Sequence, residues 1–149
     1  MIVSYDVFTE AFLSKVTEFN FCRLPEKNRQ ELVDGYMKRA CAKFDEVCKV
    51  DIANGDDDAR TFEIEEITEG HLDEIIEIVS EGMLVQWLKP LMYAQYNYEN
   101  MLNTTDFSAY SPAELLKQCV AAYNMCKKDF TNMVREYSYR HADITDLHI

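Results

Sequence analysis

Turn-forming residues are scarce in this chain of 149 amino acids, with glycine at 4 positions and proline at 3. A sandwich or barrel needs a tight turn between each pair of short strands, so the shortage argues against an all-β fold. Long apolar runs are missing too: none approaches the roughly 18 residues of a membrane span. The opening residues, Met1-Ile2-Val3-Ser4-Tyr5-Asp6, lack the basic region and apolar stretch of a secretory signal, so a soluble intracellular chain is expected. Positive charge is also in short supply. Lys and Arg total 15 against 27 Asp and Glu, a formal net charge of -12. Such a chain repels nucleic-acid phosphates and anionic lipid unless its bases gather on one face. The densest basic pairs, Lys38-Arg39 and Lys127-Lys128, fall inside helical stretches with acids nearby. Sequence-specific reading of DNA and membrane association are therefore not expected. An acidic wall beside DNA, or an acidic mimic of it, is compatible with the charge.

No C-x-x-C occurs among Cys22, Cys41, Cys48, Cys119 and Cys126. An odd count without a secretory signal favours free thiols. Cys41 and Cys48 are seven apart, as are Cys119 and Cys126. Seven residues of helix span about 10 Å, too far for one metal ion or one disulfide to bridge. The thiols read as small packing residues at helix contacts.

What the chain does have is helical periodicity, at 48% hydrophobic residues. Phe8, Phe12, Leu13, Val16 and Phe19 make one apolar stripe of a helix predicted from Tyr5 to Glu18. A second helix starts at Leu24-Pro25, with proline in the first turn where it is tolerated. It carries Leu32, Tyr36, Met37, Ala40, Cys41, Phe44 and Cys48. Gly35 lies inside it and suggests a close helix crossing. Residues 51–60 read as a loop, because Asn54-Gly55 is a turn dipeptide and Asp56, Asp57 and Asp58 cannot pack in a core. Phe62-Glu63-Ile64-Glu65 alternates and allows a short extended stretch. The most hydrophobic helix is predicted from Glu69 to Lys89 on Leu72, Ile75, Ile76, Val79, Met83, Leu84, Trp87 and Leu88, ended or kinked by Pro90. A shorter aromatic helix at 91–102 follows, then a loop at 103–110. Ser111-Pro112-Ala113-Glu114 is a helix start with a capping serine, a first-position proline and a glutamate three after the cap. That last helix continues to Arg140 on Leu116, Val120, Tyr123, Cys126, Phe130, Met133, Val134 and Tyr137, followed by a tail from His141 to Ile149. The expected fold is all-α, a single small bundle of about five helices, with residues 1–140 as its domain and 141–149 as an extended tail.

Catalytic constellations are thin. His71-Leu-Asp-Glu74 places a His and a Glu three apart, but Thr68 stands where a carboxylate di-iron bundle wants glutamate, so the run reads as an acidic first helical turn. The aspartate-rich loop fails as a calcium loop in both registers. From Asp51, positions three and five are Ala53 and Gly55; from Asp56, positions five and six are Arg60 and Thr61. There is no glycine-rich phosphate loop and no nucleophilic serine motif. The reading is of a non-enzyme with no cofactor and no metal.

Two features point to partners. Tyr93, Tyr96, Tyr98 and Tyr110 could anchor an interface or serve as ordinary core, whereas Trp87 lies on the central apolar stripe and reads as core. The tail exposes Ile144, Leu147 and Ile149 with Asp143 and Asp146 between them. A segment this short cannot fold alone, so it either packs back on the helices or docks onto another protein.

The strings Gly82-Met-Leu-Val-Gln-Trp-Leu-Lys-Pro90, Leu102-Asn-Thr-Thr-Asp-Phe-Ser-Ala-Tyr-Ser-Pro112, Glu136-Tyr-Ser-Tyr139 and Asp143-Ile-Thr-Asp-Leu-His-Ile149 resemble the small head–tail connector (adaptor, or neck) proteins of long-tailed bacteriophages. The resemblance covers most of residues 24–149; the acidic loop at 51–60 has no counterpart in it. It implies a small helical bundle whose copies form a ring (twelve-fold in the wider family) beneath the portal protein, at the virion neck. The ring would extend the channel for double-stranded DNA without sequence-specific contact and offer a platform to the next neck, stopper or tail-completion protein. By the same resemblance, the C-terminal segment, here Asp143, Ile144, Asp146, Leu147, His148 and Ile149, docks on the portal. Asp56, Asp57 and Asp58 would then face the DNA channel or a partner. An acidic conduit wall suits DNA passage, because it keeps phosphates from sticking. The other reading of the charge is a small acidic intracellular protein that mimics DNA and inhibits a nucleic-acid-binding protein.

Overall fold

Apolar residues three and four apart bury one stripe of each helix against its neighbours, and four helices result among the described residues. The computed structural model describes residues 2–16, 29–48, 52, 55–64, 71–102 and 112–141, without the side chains of residues 29, 94–102 and 112–116. Phe19, Cys22, the Leu24-Pro25 helix start, Asn54, Ser111 and the tail from 142 onward lie outside them.

Strand β1 (Ile2–Ser4) leads into helix α1 (Tyr5–Val16). Ser4 Oγ accepts the amide of Asp6 at 3.2 Å and so serves a backbone donor of the first turn. Tyr5, Phe8, Phe12 and Val16 point inward. Helix α2 (Arg29–Cys48) buries Val33, Tyr36, Met37, Ala40, Cys41 and Phe44. Leu32, expected on that stripe, is exposed instead, and Val33 takes the inward position.

Helix α3 (Leu72–Leu102) is the central element and packs against all three other helices. From Ile78 to Leu88 only Glu81 and Gln86 are not buried, which is the mark of a helix covered on all sides. Two helices were expected here, separated at Pro90. The structure has one, running through Pro90, and this lowers the expected helix count. Lys89 and Pro90 lie on the exposed face. There water can serve the carbonyl that proline leaves without its amide partner.

Helix α4 (Pro112–His141) starts at the expected proline and runs antiparallel to α3. Its buried residues, Cys119, Cys126, Phe130, Val134 and Tyr137, recur three or four apart (seven across the first step) and form the α3-facing seam. The seven-residue cysteine spacing is thus a packing spacing. Cys41, Cys119 and Cys126 are buried and Cys48 half-buried, and none of the four is in a disulfide. Burial pushes the Cys48 and Cys126 thiols up to about 11, with help from Asp45 and Glu81 respectively.

The fold is not all-α. Strands β2 (Gly55–Asp56) and β3 (Thr61–Glu63) form a hairpin, and β1 adds to its other side in the order β1-β3-β2. All pairings are antiparallel, with Val3 opposite Phe62 and Gly55 opposite Phe62. Phe62 drives this arrangement. Its ring is buried, tilted on Tyr5 at 4.5 Å and edge-on to Phe8 at 5.4 Å, so the sheet is a lid over the start of α1. The hairpin's turn falls on residues 57–60, and Gly55 lies in strand β2.

Trp87 is core, edge-on to Phe12 at 6.1 Å. Among the described residues no helix crosses at Gly35, where a side chain would approach only Arg39 of the same helix. The close approach is at Gly82, where a Cβ would lie 2.7 Å from the Phe130 ring and 3.0 Å from Ala40.

Candidate functional site

Asp56, Asp57 and Asp58 project from the tip of the β2–β3 hairpin and are all exposed. They differ in what they do. Asp56 Oδ1 accepts the amides of Asp58 at 3.0 Å and Ala59 at 3.2 Å, an aspartate turn that shapes the tip. Asp57 reaches back to the body, pairing with Lys38 and accepting the Tyr5 hydroxyl at 2.9 Å. Those two hydrogen bonds, Lys38 first, hold the Asp57 carboxyl below its ordinary range. Burial, and then the bond to Asp57, push the Tyr5 hydroxyl well above the tyrosine range.

The hairpin is anchored by a residue that sequence reasoning passed over. Arg60 holds Asp34 with two parallel bonds of 2.9 Å and Asp6 with one of 2.8 Å, and its guanidinium lies over the Tyr5 ring. Its carbonyl accepts the Tyr5 amide at 2.9 Å. Arg60 does this with φ at 53°, in the left-handed region that non-glycine residues seldom enter. No sequence pattern signals an arginine there. A second tie joins α1 to α3: Lys15 bonds Glu77 at 2.5 Å and Glu81 at 2.9 Å. Burial of the ammonium opposes its charge, yet the two hydrogen bonds outweigh it and raise its pKa.

The tyrosines separate. Tyr93 is 54% exposed on α3, while Tyr96 and Tyr98 lie further along the same helix with side chains outside the description, and Tyr110 is outside it altogether. Tyr139, in the Glu136–Tyr139 string, is 82% exposed on α4.

The docking residues Asp143, Ile144, Asp146, Leu147, His148 and Ile149 are outside the described residues. Their root is not. At the end of α4, Arg140 pairs with Glu74 Oε1, and His141 Nε2 lies 3.3 Å from Glu74 Oε2. His71 stacks on His141 with ring centroids 3.9 Å apart, and Tyr137 packs on His141 at 4.3 Å. The His71–Glu74 run is therefore more than an acidic helical turn. It receives the last two residues of α4, a junction hidden from the sequence by a separation of 67 positions. Among the described residues, His71, Glu74 and His141 form the one cluster with a metal-type donor set.

These features define a small helical bundle with a hairpin lid, an acidic tip and a pinned C-terminal helix. No protein-family model, curated protein or solved structure matches the chain. No described helix is long and apolar enough to cross a membrane.

Proposed function

We propose that this chain is a non-enzymatic virion protein that forms a ring between the portal and the tail of a long-tailed bacteriophage. The ring extends the DNA channel and serves as a platform for a stopper or tail-completion protein. The observation that carries this reading is the set of strings that resemble those of neck proteins, above all Asp143-Ile-Thr-Asp-Leu-His-Ile149 directly after a long helix. The geometry at the end of α4 supports it. Arg140 and His141 both bond to Glu74 of the central helix, so a load on the following segment passes into the bundle. The exposed Asp56–Asp58 tip suits a channel wall or a face toward the next copy. Exposed Tyr93 and Tyr139 supply aromatic anchors of the kind interfaces use.

The test is to mix the purified chain with assembled portal from the same genome and image the product by electron microscopy. A ring of added density on the portal is expected. Unaltered portals at saturating chain would overturn the proposal. Salt-labile binding to a basic DNA-binding protein in their place would favour the DNA-mimic reading, whose support is the net charge of -12.

A further inference from the structure

The chain has three histidines, and two of them, His71 and His141, meet although 70 positions separate them. Glu74 completes the group: one nitrogen from each ring and one carboxylate oxygen all lie within 4.8 Å of one another. We propose that His71, Glu74 and His141 bind a divalent transition-metal ion, with zinc as the reference case, and that the ion clamps the last turn of α4 to the first turn of α3. This goes beyond the ring reading and stands without it.

Four features carry the assignment. First, ligands of one tetrahedral zinc, with bonds of about 2.1 Å, lie roughly 3.4 Å apart. His141 Nε2 and Glu74 Oε2 already sit at 3.3 Å, and a donor of His71 lies within 4.8 Å, so that ring must turn away from its present packing on His141 to join them. Second, the carboxylate is oriented. Arg140 holds Oε1 and leaves Oε2 toward the His141 imidazole, as an outer partner does for a metal ligand. Third, Tyr137, itself buried, packs edge-on to His71 at 6.3 Å and on His141 at 4.3 Å, giving the donors an apolar floor. Fourth, His71 and Glu74 are half-buried and His141 is exposed, so an ion has access from solvent and a fourth position is open to water. Two nitrogens to one oxygen favour zinc, nickel, copper or cobalt over calcium and magnesium, which prefer all-oxygen sets.

The test uses the full chain without a polyhistidine tag, stripped with chelator and then titrated calorimetrically with zinc chloride. Cobalt(II) serves as the spectroscopic probe. One equivalent of zinc is expected, with a higher melting temperature and visible cobalt d–d bands. Outer-shell losses alone cost 10–100-fold in affinity, so His71→Ala and His141→Ala should each cost about 100-fold or more. Their far-UV circular dichroism should match the wild type. His148→Ala should keep its zinc. Absence of saturable zinc binding by the wild type would overturn the proposal. So would unchanged affinity in the His71→Ala/His141→Ala double variant, loss of binding in His148→Ala, or the intense near-ultraviolet bands of cobalt–thiolate bonds, which would move the metal to the cysteines.

Discussion

Gly82 on α3 faces Phe130 of α4 and Ala40 of α2, and replacing it tests the packing of these three helices. An alanine Cβ there would lie 2.7 and 2.9 Å from Cε2 and Cζ of Phe130 and 3.0 Å from the Cβ of Ala40. Carbon atoms in contact prefer about 3.5–4.0 Å, so the overlap with the ring is close to 1 Å. Phe130 is 7% exposed and Ala40 fully buried, so neither side yields without moving a helix. Overpacking of this kind costs about 1–3 kcal/mol. Against it, alanine is better than glycine in a helix by about 1 kcal/mol. Two obstructing neighbours on two different helices place the cost in the upper part of its range, and Gly82→Ala is expected to lose about 1–2 kcal/mol net. In a chain of this length that is a fall in melting temperature of roughly 3–6 °C. Urea unfolding followed by far-UV circular dichroism measures it, alone and in a Phe130→Leu background. Leucine has no atoms at the clashing ring positions, so in that background Gly82→Ala should be neutral or slightly stabilising, and the two changes should couple by at least ~1 kcal/mol. Additive effects, or a stabilised single variant, would refute the claim that Gly82 is the close-approach point.

Three further outcomes follow from the hairpin and the thiols. Arg60→Ala removes the bonds to Asp34 and Asp6 but keeps the left-handed backbone, and should cost about 2 kcal/mol; Arg60→Gly loses the same bonds but relieves the backbone, and should be milder by ~0.5–1 kcal/mol. Equal losses in urea unfolding would show that the φ of 53° carries no strain. Asp57 has a lowered pKa when folded, so its contribution is complete above the ordinary aspartate range and is lost as pH falls through its native value. Asp57→Asn should flatten the drop in urea midpoint between about pH 5 and pH 2, and an unchanged slope would count against the Lys38–Asp57–Tyr5 contact. Cys126 is raised from 9.0 to about 11, which works in the opposite direction: its contribution is complete below the unfolded value and lost as pH rises through the native one. Stability should therefore fall through this thiol as pH rises from about 9 to about 11. Cys126→Ala should remove that share of the slope.

The helices were readable where their own residues carried the signal. The inward stripes Phe8-Phe12-Val16 and Tyr36-Met37-Ala40-Cys41-Phe44 repeat at helical spacing, and Pro112 marks a helix start by local chemistry. What escaped depends on contacts between distant residues. Alternation from Phe62 signals the extended stretch that becomes β3, but β1 and β2, of three and two residues, carry no such signal, and β1 pairs with Thr61–Glu63 through the contacts of Phe62 with Tyr5 and Phe8. Pro90 breaks helices in most settings, but on the exposed side of a helix held by three others it did not. Gly35 and Gly82 look alike in sequence, and only packing tells them apart. At the candidate site, Asp56–Asp58 were correctly expected at the surface, yet nothing local announced that Asp57 docks on Lys38 or that Arg60 latches the hairpin. Likewise His71 and Glu74 were visible as a pair, while His141 joins them only in the folded chain.

We propose that residues 143–149 dock this bundle onto a portal. It is tested most directly by measuring binding to assembled portal for three forms: the full chain, a chain ending at His141, and the Leu147→Asp/Ile149→Asp variant. Each form is first shown to be folded by circular dichroism. Tight binding is expected from the full chain and none from the other two. Equal binding by all three, or none by the full chain, would contradict it.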